Sequence, residues 1–262
     1  MTIFRHELNR GRTALIIWTA VIGFMLMISI LIYPEMKKEL DDLGDMFSQM
    51  GAFSDAFGMD KLNFGTLSGY YSVECGNVLG LAGAFFAAML GAAMLSKEER
   101  GHTAEYLLMH PVSRTRIVSE KLLAMAAQIA ALNLVIFGLA VGAVAAIGEA
   151  VPWKLMVQLH LAYLLMQLEL AGICFGISAF IRRGGIGIGI GIAAFMYFLN
   201  IIANLTKEAE PLKYVTPYGY CDGGDIQAAG HPAWPKIAVG MALCAAGIAI
   251  AYVKYRRKDI NC

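Results

Sequence analysis

The sequence predicts an all-α membrane protein with six transmembrane helices, and three observations carry that prediction. First, 58% of the 262 residues are hydrophobic and only 16% are charged, with a mean hydropathy of +0.60. A soluble domain carries roughly 25% charge, so the surplus of apolar residues needs a solvent other than water. Second, the apolar residues gather into blocks of about 20, the length that crosses a ~30 Å hydrocarbon core as a helix. Third, the shorter alternating runs of a transmembrane barrel are missing, and only a helix or a closed barrel satisfies its backbone in lipid.

Before the first block, residues 2–12 place Ile3, Phe4 and Leu8 on one helical face and Arg5, Arg10 and Arg12 elsewhere. This reads as a basic amphipathic helix lying at the inner membrane surface, with a frayed charged N-terminus as the alternative. The first block is longer than the h-region of a signal peptide and lacks an A-x-A-like site near Leu31-Ile32-Tyr33-Pro34, so it is expected to be a retained span.

The six expected spans are 13–33, 73–95, 121–147, 155–181, 186–205 and 236–253, within a single transmembrane domain covering 1–262. The fifth opens with alternating Gly and Ile. As a strand it would leave its edges unsatisfied at membrane depth, whereas as a helix Gly187 and Gly191 stand one turn apart and permit a close helix contact.

Lys and Arg set the orientation. One side holds 14: Arg5, Arg10 and Arg12, then Lys97, Arg100, Arg114, Arg116 and Lys121, then Arg182 and Arg183, and finally Lys254, Arg256, Arg257 and Lys258. The other holds seven, and the richer side is expected in the cytoplasm together with both termini.

The first outer segment, 34–72, repeats Met36, Leu40, Leu43, Phe47 and Met50 at helical spacing, with charges between them. An outer amphipathic helix follows, either a cap over the spans or a gate. The second, 206–235, is rich in Pro and Gly and reads as an ordered loop of turns. Cys75 and Cys221 fall on this outer side, where a disulfide would persist; two unpaired thiols are the other reading.

No G-x-x-x-x-G-K-[ST] loop, H-E-x-x-H or Cys/His cluster occurs, so neither nucleotide binding nor a metal site is expected on this chain. Glu169 lies near the middle of the fourth span, where an exposed carboxylate costs about 2.5–3.5 kcal/mol on insertion scales. Gln158, Ala162, Leu165, Glu169, Gly172 and Gly176 share one face. Glu169 is therefore either part of a transport path or a hydrogen-bonding partner at a close-packed helix interface.

The most informative stretch runs from 96 to 121. It reads as a hydrophilic start, a short helix over Thr103–Met109 with Leu107 and Leu108 as apolar contacts, a Pro111 stop and a basic exit into span three. A short charged helix with an apolar ridge is what a soluble partner could grip. Glu98-Glu99-Arg100-Gly101, then Thr103-Ala104-Glu105-Tyr106-Leu107-Leu108, then Pro111-Val112-Ser113-Arg114 and Lys121 closely resemble the E-E-R-G-T-x-E-x-L-L-x-x-P-V-S-R signature of type-2 ABC (ATP-binding cassette) exporter permeases. His102 is an insertion relative to it, and Tyr106 stands where an aliphatic residue is common. The closing Tyr255-Arg256-Arg257-Lys258-Asp259-Ile260 is similar to the family's terminal pattern.

The resemblance implies an elbow helix at 2–12 and a coupling element over Glu98–Arg114, made of Glu98, Glu99, Arg100, Gly101, Thr103, Glu105, Leu107, Leu108, Pro111, Ser113 and Arg114. It implies two cytoplasmic ABC ATPase subunits and a second permease chain, identical or homologous. This chain would bind no cofactor, with ATP and Mg2+ held by the partner subunit and hydrolysed there. The expected setting is a bacterial cell (plasma) membrane, without nucleic acid. The expected function is the permease subunit of an ATP-driven exporter. A permease-like subunit that transmits force to outer-side partners is the alternative, and an intramembrane enzyme would have only Glu169 and His160 to work with.

Overall fold

The computed structural model describes residues 2–49, 62, 65–100, 112–181 and 185–257, all helices, turns and connections without a strand among them. Among the described residues six helices are long and apolar enough to cross a membrane. They are α1 (Thr2–Gln49), α2 (Leu67–Met94), α3 (Arg114–Ala146), α4 (Trp153–Ser178), α5 (Gly185–Leu205) and α6 (Trp234–Arg257).

α1 departs from expectation. Its 48 residues form one unbroken helix, so neither a separate elbow at 2–12 nor a separate outer helix from residue 34 is present. Arg10-Gly11-Arg12 supplies no proline or cap to stop a helix, and Gly11 lies close against the Gln128 side chain of α3. Pro34 also sits inside α1, where its missing N–H removes one backbone hydrogen bond without ending the helix. Met50, the last residue of the expected outer repeat, lies outside the described residues.

α2 begins at Leu67, capped by the Thr66 hydroxyl, which accepts from the Gly69 N–H. Residues Gly76–Ala82 form a π-helical turn before the α-helix resumes at Gly83. The following turn, Lys97–Arg100, leads toward residues 101–111, which are not described. α3 starts where the sequence places its signals: Ser113 is the N-cap and accepts from the Arg116 N–H. The 206–235 connection holds two 3-10 turns, Lys207–Tyr214 and Pro217–Tyr220, and one short helix, Gly223–Ala229.

α4 is the hub. It packs mainly on α2 and α6, while α1 packs on α3 and α5 on α2. Accordingly 67% of the most apolar window of α4 is buried, against 22% in α1, 17% in α5 and 22% in α6. Those three helices expose Ile16, Ile17, Phe24, Phe195, Phe198 and Ile250, a surface suited to lipid or to another membrane chain.

Lipid tails give apolar helices no reason to prefer each other, so close backbone approach has to hold them together. A side chain at Gly91 would meet the Ala171 backbone, and one at Gly176 the Gly247 backbone. In α5 the contact is made by Gly185 and Gly189, against the backbone at Ala92 and Ala88. Gly187 and Gly191, the expected pair, face open space. The alternation offers two glycine faces, and α5 turns inward the one that continues into buried Ala193. Buried polar groups add a second bond type: Asn133 Nδ2 donates to Gln167 Oε1 (2.6 Å), Gln167 Nε2 to the Leu79 carbonyl in the π turn (3.4 Å), and Tyr71 pairs with His160 (2.7 Å). Cys75 and Cys221 are buried, unpaired thiols.

Gly189→Leu should therefore cut the yield of folded protein and lower its unfolding temperature in detergent. Gly187→Ala and Gly191→Ala should leave both unchanged or raise stability by about 0.5–1 kcal/mol through helix propensity.

Candidate functional site

The N-terminus of α1, the end of α2, the start of α3 and the C-terminus of α6 meet at one end of the bundle, on both flanks of the expected coupling element. At the centre is Lys121, 0% exposed. Its ammonium donates to Glu7 Oε1 (2.8 Å), to Glu98 Oε1 (2.6 Å) and to the Met94 carbonyl (2.9 Å). Three donors meet three acceptors, as a buried ammonium requires. Lys97 adds a second cation on Glu7 Oε2, and Arg10 stands 4.0 Å from Glu98. Burial, with the Lys121 charge beside it, pushes the Lys97 ammonium below the usual lysine range even though Glu7 and Glu98 pull it upward.

A second tie runs from α3 to the start of α1. Glu120 Oε2 accepts from the Phe4 N–H (3.0 Å), filling one of the donors a helix leaves unmet in its first turn, and Glu120 Oε1 accepts from Arg116 Nε (2.8 Å). On the other flank Arg114 Nη1 donates to the carbonyls of Tyr255 (3.4 Å) and Arg256 (3.2 Å), the last turn of α6. Ser119 and Tyr252 hydroxyls pair nearby at 2.7 Å.

Of the expected coupling residues, Glu98 lies in the ionic cluster, Glu99 and the backbone of Arg100 in the turn beside it, Ser113 caps α3 and Arg114 caps α6. Gly101, Thr103, Glu105, Leu107, Leu108 and Pro111 lie outside the described residues, as does the tail beyond Arg257. Glu7, which joins the cluster from α1, was not legible as a site residue. Its one signal is an acidic residue in a basic segment.

Glu169 is 1% exposed and sits deep between α4 and α6. Its Oε2 accepts from the Tyr220 hydroxyl (2.7 Å), and its carboxylate lies against Gly240, where any side chain would collide with it. Gly172 faces Cys244, and Gly176 faces Gly247. Gln158 is elsewhere: its Nε2 donates to the Gly230 carbonyl (2.6 Å), eleven residues and about 16 Å along α4 from Glu169. Among the described residues no group of His, Cys, Asp and Glu is placed to hold a metal ion.

Comparison with known families matches residues 1–260 to the ABC-2 family transporter proteins. The chain belongs to this family. No match was found among curated proteins. As an ABC-2 transporter it is a multi-pass membrane permease subunit rather than a catalytic one, and its family implies an ABC ATPase partner.

Replacing Lys121 with Met would take the central cation from two buried carboxylates, leaving Glu7 with Lys97 and Glu98 with Arg10 at 4.0 Å. The expected loss is about 3–5 kcal/mol, read by thermal unfolding, against under about 1 kcal/mol for Arg116→Ala, which removes an exposed partner while Glu120 keeps the Phe4 N–H. At Glu169, Gln keeps an acceptor for Tyr220 while Leu does not. Glu169→Leu should cost roughly 1–3 kcal/mol, and Glu169→Gln distinctly less, by the same measurement.

Proposed function

We propose that this ABC-2 protein is the permease of an ATP-driven exporter, with residues 98–114 receiving the motion of cytoplasmic ATPase subunits. The observation that supports this reading is the anchoring of both flanks of that segment. Lys97 and Glu98 reach α1 and α3 through Glu7 and Lys121, and Arg114 reaches the end of α6. A push on the segment is therefore felt at four helix ends at once. It shifts the bundle provided the ATPase binds its two arrangements with different affinity.

In this reading the end carrying the cluster faces the cytoplasm of a bacterial cell, in keeping with the 14 basic residues on that side. Two ATPase subunits hold ATP and Mg2+, and a second permease chain, identical or homologous, covers part of the exposed apolar faces. Glu169 lies close to the transport path and is the residue through which α4, α6 and the 206–235 connection respond together.

A second reading is favoured by α1 itself. At 48 residues it is about 72 Å long, more than twice the hydrocarbon core, and it starts in the ionic cluster. Such a rod would carry a tilt beyond the membrane to an outer-side partner without exporting a solute.

The test is affinity purification in mild detergent with ATPase activity assayed on the eluate. An ATPase subunit should co-purify, and Leu107→Asp or Leu108→Asp should release it while the permease stays folded. Recovery of the folded chain alone in every mild detergent would overturn the proposal. ATP-driven solute accumulation in inside-out vesicles separates exporter from force transmitter.

A further inference from the structure

At the end of the bundle opposite the ionic cluster, an open cavity of about 340 Å3 lies between the first turns of α4, the start of α2 and the short helix Gly223–Ala229. That volume falls in the range of small-ligand pockets, roughly 300–1,000 Å3. Trp153 and Leu155 give the cavity apolar walls, and its polar side chains are Ser68, Lys154, Gln158 and Gln227.

Lys154 decides what this space attracts. Its ammonium is accessible and also placed: a Cβ added at Gly230, which lines the cavity, would lie 3.2 Å from Nζ. Gly230 ends the short helix in the left-handed region, with φ at 69°, so glycine suits that turn and leaves the space above it to the lysine. Gln158 Nε2 donates to the Gly230 carbonyl (2.6 Å) and ties the same residue to α4. The carboxylate nearest in sequence to Lys154 is Glu149, and it is engaged by Lys37 at 3.0 Å. The Lys154 charge is thus left to an anion from outside.

The surface of α4 beside the cavity decides where that anion comes from. Trp153 (57% exposed), Val157 (50%) and Leu161 (38%) stand on successive turns and form an apolar stripe from the cavity mouth toward the middle of the span. An indole beside a lysine in the first turn of a span is the pattern of a membrane–water interface. A soluble anion makes no use of the stripe, whereas an acyl chain lies along it. We propose that this cavity seats the headgroup of an anionic phospholipid, of the phosphatidylglycerol kind. Its phosphate meets Lys154 Nζ, its glycerol hydroxyls meet the amides of Gln158 and Gln227, and one acyl chain follows Val157 and Leu161. A lipid held there bridges α4, the start of α2 and the connection that carries Tyr220, the partner of Glu169. Binding to that arrangement stabilises it, so lipid composition bears on how firmly the connection sits on α4.

The test uses the full chain with two of its three tryptophans replaced, Trp18→Phe and Trp234→Phe, so that Trp153 reports alone. The protein is placed in mixed phosphatidylglycerol and phosphatidylcholine vesicles, with bromine on the chains of one lipid or the other, near the headgroup. Quenching of Trp153 then gives the relative occupancy of the two lipids beside it. The expected result is a preference of at least fivefold for phosphatidylglycerol, lost in Lys154→Gln and retained in Lys154→Arg. Gln227→Ala should at least halve the preference, while Lys254→Gln at the other end of the bundle should leave it unchanged. Equal quenching by the two lipids would overturn the proposal, as would a preference that survives both Lys154→Gln and Gln227→Ala in folded protein. Loss of the preference on adding soluble glycerol 3-phosphate at constant ionic strength would also overturn it, since the site would then serve a free phosphate ester. No ATPase takes part in this assay, so its failure and that of the exporter reading are separate results.

Discussion

A lysine with no exposure to solvent has to find an acceptor for every N–H it carries, and Lys121 finds them on three different parts of the chain. Glu7 comes from α1, Glu98 from the turn after α2, and the Met94 carbonyl from the end of α2. Lys97 and Arg10 join it, so three basic side chains surround the two carboxylates. Such an arrangement adds little net stability compared with an apolar substitute, but each member penalises any arrangement that leaves it alone. The register of α1 against α2 and α3 follows from that penalty. Glu120 on the Phe4 N–H and Arg114 on the last carbonyls of α6 then fix the remaining helix ends in the same place.

Away from this end the bundle relies on proximity rather than charge. Gly91, Gly176, Gly185 and Gly189 bring backbones together where a side chain would not fit. Polar contacts between α2, α3 and α4 run through Asn133, Gln167 and the Leu79 carbonyl, and through Tyr71 and His160. The two regimes meet on α4, which carries the glycines toward α6 and the amides toward α2 and α3. Glu169 stands between them, tied through Tyr220 to the connection that also forms the far cavity.

The spans were legible because block length is a direct consequence of bilayer thickness, and the cap of α3 because Pro111, Ser113 and the basic run that follows act locally. What the sequence hid was set by distant neighbours. Glu7 and Lys121 are 114 residues apart, and Glu169 and Tyr220 are 51 apart, so neither partner announces the other. A strict Gly-Ile alternation presents two equivalent glycine faces on α5, two positions apart, and only the small residues Ala88 and Ala92 on α2 decide between them. Local signals divide α1 after Arg12 and at Pro34, and both yield to a helix that continues on either side.

The π turn at Gly76–Ala82 carries a consequence for how this fold tolerates change in length. Each residue of an α-helix turns its successors by about 100°, and a π turn holds surplus chain that a straight helix would lack. Gly80 and Gly83 leave room there for the Tyr163 ring and the Gln167 amide. Deleting one residue within the turn would let α2 straighten. Everything from Leu67 to Cys75 would then rotate about the helix axis, carrying Tyr71 away from His160 and Ser68 away from the cavity while Gly91 kept its place against Ala171. Length variation between related chains is therefore far easier to absorb in the connections than at this point, although the helix itself would survive it intact.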